Sequence, residues 1–189
     1  MNTKYEFTGE TKIVYGRTLR RIKAIVAIGA TVAPGDIGGW IESENNLSMY
    51  GNAWVYSNAM VYGNAMVYGN AKVSGNAEVS GDAWVFGDAK VYDKARVSGN
   101  ARVFGNANVS SDAEVHSNAD YMTFKNSWSS GRWFTYTASN KKWSVGCFYG
   151  TGDELVRKAY SDSELSGKCY EAIVRAVDAI EAAKGSGVK

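Results

Sequence analysis

One histidine, two cysteines and several groups of aromatic and cationic side chains are the residues that could carry chemistry in this sequence. His116 could serve as a general base, since imidazole exchanges protons near neutral pH; Arg96, Ser98 and Glu114 shortly precede it. The competing reading is a surface corner residue. Cys147 and Cys169 fit no metal-ligand spacing. Cys147 lies between Gly146 and Phe148 in what reads as a buried strand, where a thiol is inert unless a neighbour ionises it. A bridge to Cys169 is the alternative. Arg132, Trp133, Tyr136, Lys141, Lys142 and Trp143 combine cations with aromatics, a set that could stack a base and hold a phosphate. It could equally be a hairpin packed on a helix with a solvated rim. Asp82, Asp88 and Asp112 alternate with asparagine at equivalent positions, so turn chemistry explains them better than hydrolysis does.

These residues are placed by a six-residue unit that repeats twelve times over residues 49–120. Valine falls at every sixth position from Val55 to Val115, with Met49 in its place in the first unit, and alanine falls four residues after each. Ala53 and Val55 are two apart and share one face of an extended segment, while Trp54 and Tyr56 share the other. The Gly-Asn, Gly-Asp or Ser-Asn pair makes a corner. If each corner were a hairpin turn, successive valines would alternate between the two faces of a sheet and form no single core. If each corner turns the same way, all valines and alanines point inward. Three corners then close a triangle of 18 residues, four coils in all.

That period sorts the outward residues into three flanks. The first carries Trp54, Lys72, Lys90 and Asn108 with Tyr56, Ser74, Tyr92 and Ser110; the second carries Met60, Glu78, Arg96 and Glu114 with Tyr62, Ser80, Ser98 and His116. The third carries Met66, Trp84 and Arg102 beside a ladder of Tyr50, Tyr68, Phe86 and Phe104. An outward apolar strip of this size is rarely left in water. It predicts a self-association face or a bed for C-terminal helices; the sharper alternative is a planar ligand held by Tyr68, Trp84, Phe86, Arg102 and Phe104. Arg132, Trp133 and Tyr136 complete the set of candidate binding residues.

Open coil ends expose unpaired strand edges, so both need caps. Residues 1–48 form the N-terminal one: a hairpin turning near Gly9-Glu10, an apolar segment from Leu19, and tight turning at Pro34-Gly35 and Gly38-Gly39 that leads to Trp40 and Ile41 as the plug. GDIGG lacks the Lys-Ser/Thr of a phosphate-binding P-loop. Residues 121–189 read as a ββαα module. Its strands flank a turn at Ser139-Asn140, Thr151 and Glu154 form a capping box for a helix through Tyr160, and a second helix spans 168–184 with Tyr170, Ile173, Val174, Val177 and Ile180 on one face. The last residues, from Gly185, read as a loose tail.

The hexads resemble the hexapeptide family of left-handed parallel β-helices. With Leu19-Arg20-Arg21-Ile22, Gly35-Asp36-Ile37-Gly38-Gly39-Trp40-Ile41-Glu42 and Asn46-Leu47-Ser48 before them, the chain looks like bacterial and prophage hexapeptide-repeat proteins labelled as transferases or as polymer-forming. The end module resembles one found at the ends of phage repeat proteins. The resemblance implies a mainly β fold with a left-handed coil and a homotrimer. Acyltransferases of that family place a histidine base in a cleft between subunits, which would give His116 its role; however, their usual loop extruded from a coil is missing here. The expected function is therefore a non-catalytic oligomeric binding protein, phage-encoded, that sequesters a host protein or a small nucleotide signal. The alternatives are an acyltransferase-like enzyme and a structural rod.

A net charge of +2, from 21 basic and 19 acidic residues, argues against a strong electrostatic grip on nucleic acid. No charged-then-apolar leader and no apolar run near membrane length is visible, so a cytoplasmic setting is expected, with no cofactor, metal or membrane partner.

Overall fold

The computed structural model describes residues 2–128 and 130–185. An antiparallel hairpin, β1 (Tyr5–Val14) and β2 (Arg17–Ala24), leads through β3 (Ile37–Ile41) into eleven two-residue strands. These are β4 (Trp54–Val55), β5 (Met60–Val61), β6 (Met66–Val67), β7 (Lys72–Val73), β8 (Glu78–Val79), β9 (Trp84–Val85), β10 (Lys90–Val91), β11 (Arg96–Val97), β12 (Arg102–Val103), β13 (Asn108–Val109) and β14 (Glu114–Val115). From β4 on, every third strand pairs in parallel, giving three sheets in the orders β1-β2-β3-β5-β8-β11-β14, β4-β7-β10-β13 and β6-β9-β12, the first extended by β3 and the antiparallel hairpin. The chain is a parallel β-solenoid of about four turns followed by a two-helix module.

The hexad dictates this arrangement. All eleven valines from Val55 to Val115 are fully buried, as are the alanines from Ala53 to Ala113. Two small side chains per strand fill the tube along the regular coils. The first corner residue, two after each valine from Val55 to Val109, takes positive φ: Gly69 has φ +71°, and Ser57, Asp93 and Ser111 adopt the same conformation at 53–61°. Asparagines stack at the corners, Asn52 donating to Asn70 at 3.1 Å and Asn70 to Asp88 at 3.1 Å. Asp88 and Asp82 end such ladders as acceptors, a role beyond turn formation.

The regular repeat is shorter than its sequence outline. Leu47, not Met49, faces Val67, and Leu47 is fully buried while Met49 is 40% exposed. Two extra residues before Val55 bulge outward at that corner, taking Tyr50 out of the aromatic ladder. At the other end Ala119 is exposed, because the chain leaves the coil in a 3-10 turn, Asn118–Asp120.

The N-terminal cap differs in detail from expectation. The hairpin turns at Tyr15-Gly16, both at positive φ, and Gly9 instead marks a bulge between Phe7 and Thr11. Gly38 and Gly39 lie inside β3 rather than in a turn. A Cβ on Gly39 would stand 2.6 Å from the Ala59 carbonyl oxygen and from Val55 Cγ1, so close approach explains this glycine. Trp40 faces outward against Leu19 and Tyr62, with Lys12 and Arg21 over its ring. Trp54, assigned by period to an outer flank, is instead buried edge-on to Tyr5. No hexad precedes it in its column, so the plug is built from Tyr5, Ile22, Ile41 and Trp54.

The C-terminal module has four strands rather than two: β15 (Tyr121–Lys125), β16 (Trp133–Thr137), β17 (Lys142–Val145) and β18 (Phe148–Gly150), an antiparallel meander. Helices α1 (Gly152–Asp162) and α2 (Glu164–Gly185) pack on it through Leu155, Ala159, Tyr170, Val174 and Val177. The capping box is present, with Glu154 N–H donating to Thr151 Oγ1 and Thr151 N–H to Glu154 Oε2. The second helix starts four residues earlier than its apolar pattern, at Glu164, and Ile180 is exposed. Cys147 is exposed in the turn before β18, and both thiols are free. The tail beyond Gly185 lies outside the described residues.

Candidate functional site

Both ends of the tube are closed by side-chain hydrogen bonds. Along the coils each outward residue's N–H donates to the alanine carbonyl of the next turn, as Lys72 does to Ala89 at 2.9 Å. The final turn therefore leaves donors of this ladder without a coil partner on every flank. Arg102 N–H donates to Asn118 Oδ1 at 2.7 Å, Asn108 N–H to Thr135 Oγ1 at 2.9 Å and Glu114 N–H to Ser139 Oγ at 2.8 Å. At the first turn the orphan groups are carbonyls. Asn46, fully buried, donates from Nδ2 to Gly63 at 3.0 Å and Ala65 at 2.8 Å. Trp40 and Glu42 backbone N–H groups cover Ala59 and Val61. What the tube itself leaves available to other molecules is its flanks.

The third flank is apolar and uncovered. Tyr68 and Phe86 rings stack 4.8 Å apart, and Phe86 and Phe104 rings 5.3 Å apart. Trp84 meets Tyr68 edge-on, and Arg102 lies 4.8 Å over the Trp84 ring. Met66 and Trp84 are each 37% exposed and Phe104 50%. The helices pack on the C-terminal sheet, so the strip is not their bed. Arg102 thus covers one face of the Trp84 indole. Burial among the rings pushes the Tyr68 hydroxyl pKa upward.

The second flank is electrostatically matched down its column. Glu78, Arg96 and Glu114 are successive ladder partners, and Arg96 reaches Glu114 at 3.4 Å. His116 Nδ1 is 2.6 Å from Ser98 Oγ, and its Nε2 is 3.6 Å from Glu114 Oε2. Ser98 and Glu114, expected on the same flank as His116, thus stand on either side of its ring. The imidazole and carboxylate are 60% and 46% exposed, and water screens both.

The C-terminal set is divided by its own strands. Trp133 and Tyr136 are three apart on β16 and so point to opposite faces. Tyr136 and Trp143 are core residues, their rings 5.2 Å apart beneath the helices. Trp133 is half-buried on the other face, with Lys125 near its ring. Arg132 is exposed and borders a groove on the first flank with Lys90. Of the three residues expected to stack a ligand, Arg132 and Trp133 therefore meet in one recess, while Tyr136 lies apart from them in the core.

The recess beside Arg132 adjoins, through Lys90, Asn108 and Gly146, a larger first-flank groove of about 560 Å³ that runs between Thr31 of the N-terminal cap and Gly146 of the C-terminal module. Sequence reading missed it because its end walls come from segments more than a hundred residues apart.

A family model described as the YdcK β-solenoid repeat matches residues 59–75 and 95–111. Both stretches begin at the alanine preceding a second-flank strand, two coils apart. The repeat is similar to that of YdcK-type β-solenoids. The match covers a minor part of the chain, and it supports the solenoid and no activity. No curated protein matches the chain.

Proposed function

We propose that the protein is a non-catalytic, oligomeric binding protein whose copies associate side by side through the third flank. The observation that carries this reading is the continuous stack Tyr68–Phe86–Phe104, left open to water beside Trp84 and Met66. Exposed apolar strips of this kind mark interaction sites. Capped ends favour lateral over end-to-end association, which weighs against a polymerising rod. A threefold assembly is the arrangement implied by the hexapeptide-like repeat. The wider role, uptake of a host protein or a nucleotide signal by a phage-encoded oligomer in the host cytoplasm, is supported by the resemblance of the N-terminal motif and of the end module to phage and prophage repeat proteins.

Sedimentation velocity over a range of concentrations tests the assembly. The wild type is expected as an oligomer, and the Trp84→Glu/Phe104→Glu double variant as a folded species of 20.5 kDa. A wild type that stays monomeric at high concentration would remove the lateral contact.

A further inference from the structure

The first-flank groove breaks a rule that the second flank obeys. Lys72 and Lys90 are direct partners in the β7–β10 ladder, about 4.8 Å apart along the stack. Like charges placed opposite one another in a sheet are destabilising. On the second flank the same position alternates Glu78, Arg96 and Glu114, and Arg17, Arg21 and Lys23 of the N-terminal hairpin each face a carboxylate. Among the described residues, Lys72, Lys90 and Arg132 are in no ion pair. Asp88, at the groove's end, is engaged as the acceptor of Asn70. Violations of local electrostatic consistency with no compensating partner concentrate at functional sites.

The surroundings are built for a polar ligand. Lys72 Nζ is 3.4 Å from Thr31 Oγ1, which is in turn 3.0 Å from the Tyr56 hydroxyl. This link ties the N-terminal cap to the groove floor. Ser74, Tyr92 and Asn108 add neutral donors beside the two ammonium groups. At the far end a smaller recess of about 160 Å³ places Arg132 and Trp133 next to Lys90. A volume near 560 Å³ suits a small molecule, and the near-neutral chain gives no extended basic track for a polymer.

We infer that this groove binds a small ligand bearing adjacent phosphoryl groups, with Lys72, Lys90 and Arg132 as its cationic contacts. Neighbouring ammonium groups one strand apart can share a diphosphate without rearrangement, and the ligand supplies the charge that the ladder lacks. Tyr92 and Trp133 offer rings for a planar group at either end. The site is complete within one copy, so it stands or falls separately from the lateral contact of the third flank.

Isothermal calorimetry at low ionic strength, with pyrophosphate, tripolyphosphate and ATP as probes, tests the inference. Binding is expected for the wild type and also for the Trp84→Glu/Phe104→Glu variant. Lys72→Gln/Lys90→Gln should weaken it by about tenfold or more, while its melting temperature stays level or rises because a repulsion is removed. ATP binding tighter than tripolyphosphate would assign a base to the aromatic ends; equal affinities would assign recognition to the phosphoryl groups alone. Absence of heat with all three probes, or undiminished affinity in the lysine double variant, would overturn the proposal. So would a short single-stranded RNA that outcompetes ATP, since that would make the groove a nucleic-acid track.

Discussion

The ring of Phe86 lies 4.8 Å from that of Tyr68 and within 3° of parallel to it. That distance is the spacing of paired strands, so the stack follows from placing aromatics one coil apart. Phe86 is the middle ring, touching Tyr68 on one side and Phe104 on the other. Phe86→Ala therefore removes two ring contacts, each worth ~1 kcal/mol beyond area burial, whereas Phe104→Ala removes one. Urea unfolding at concentrations where the chain is monomeric should show a loss of about 2–3 kcal/mol for Phe86→Ala and about half that for Phe104→Ala. Equal losses would mean that the stack adds nothing to simple burial.

The C-terminal end makes a second prediction. Thr135 is 1% exposed and its hydroxyl oxygen accepts from Asn108 N–H. Thr135→Val keeps the shape and leaves a partly buried donor unpaired, at a cost of about 1 kcal/mol. Ser139→Ala and Asn118→Ala open the donors on the other two flanks. The triple variant presents three unpaired strand edges at one end, and such edges template pairing with another chain. Light scattering should then show concentration-dependent growth that the wild type lacks. A triple variant that loses stability without associating would confine these residues to a local capping role.

The coil was legible because its signal is periodic and its core needs only two residue types. Val85 and Ala83 need no distant partner to declare which way they face. The ends were not legible, because their geometry depends on side chains meeting across long sequence separations. Trp54 carries the outward period and yet turns into the core, since Tyr5 and Ile22 arrive there from the hairpin. Gly39 reads as a turn residue but is excluded from carrying a Cβ by Ala59, twenty residues later. Tyr136 looked like a ligand platform and is core, because β15 and β18 widen the hairpin into a sheet that the helices cover. The basic groove shares this cause: Lys72 and Lys90 are visible as a column, but Thr31, Arg132 and Gly146 reach it only in the folded chain.

Stability should depend on pH in a way set by the N-terminal cap. Lys4 is 3% exposed, donates to the Ser48 carbonyl at 3.0 Å, and burial lowers its pKa to about 8. An unfolded lysine titrates near 10.4, so between these values the unfolded chain binds more protons and stability rises with pH. Below about 8 that contribution, at most ~3 kcal/mol, is lost. Tyr5 acts in the opposite sense: burial raises its pKa to about 12, so it stabilises the fold fully below pH 10 and loses that contribution as pH climbs toward 12. Burial pushes Tyr62, Tyr121 and Tyr136 the same way. Melting temperature should accordingly climb from pH 8 to about 10 and fall above it. Lys4→Met should flatten the rise and leave the fall. An unchanged rise in that variant would place its origin elsewhere.

The last prediction concerns His116, whose neighbours imitate a nucleophile, base and carboxylate in line. Ser98 Oγ is 2.6 Å from Nδ1, but Nε2 stands 3.6 Å from Glu114, beyond hydrogen-bond reach, and the other Glu114 oxygen faces Arg96. A working triad needs a base held by its carboxylate and a site that excludes water. Here the imidazole is 60% exposed on the wall of the tube, and a surface pair of this kind contributes about 0–1 kcal/mol. His116→Ala and Ser98→Ala should therefore change stability by less than about 1 kcal/mol and leave acyl transfer from an acyl-CoA donor at the wild-type level, indistinguishable from buffer. Turnover by the wild type that both substitutions abolish, with circular dichroism unchanged, would move catalysis to this flank and displace the binding reading.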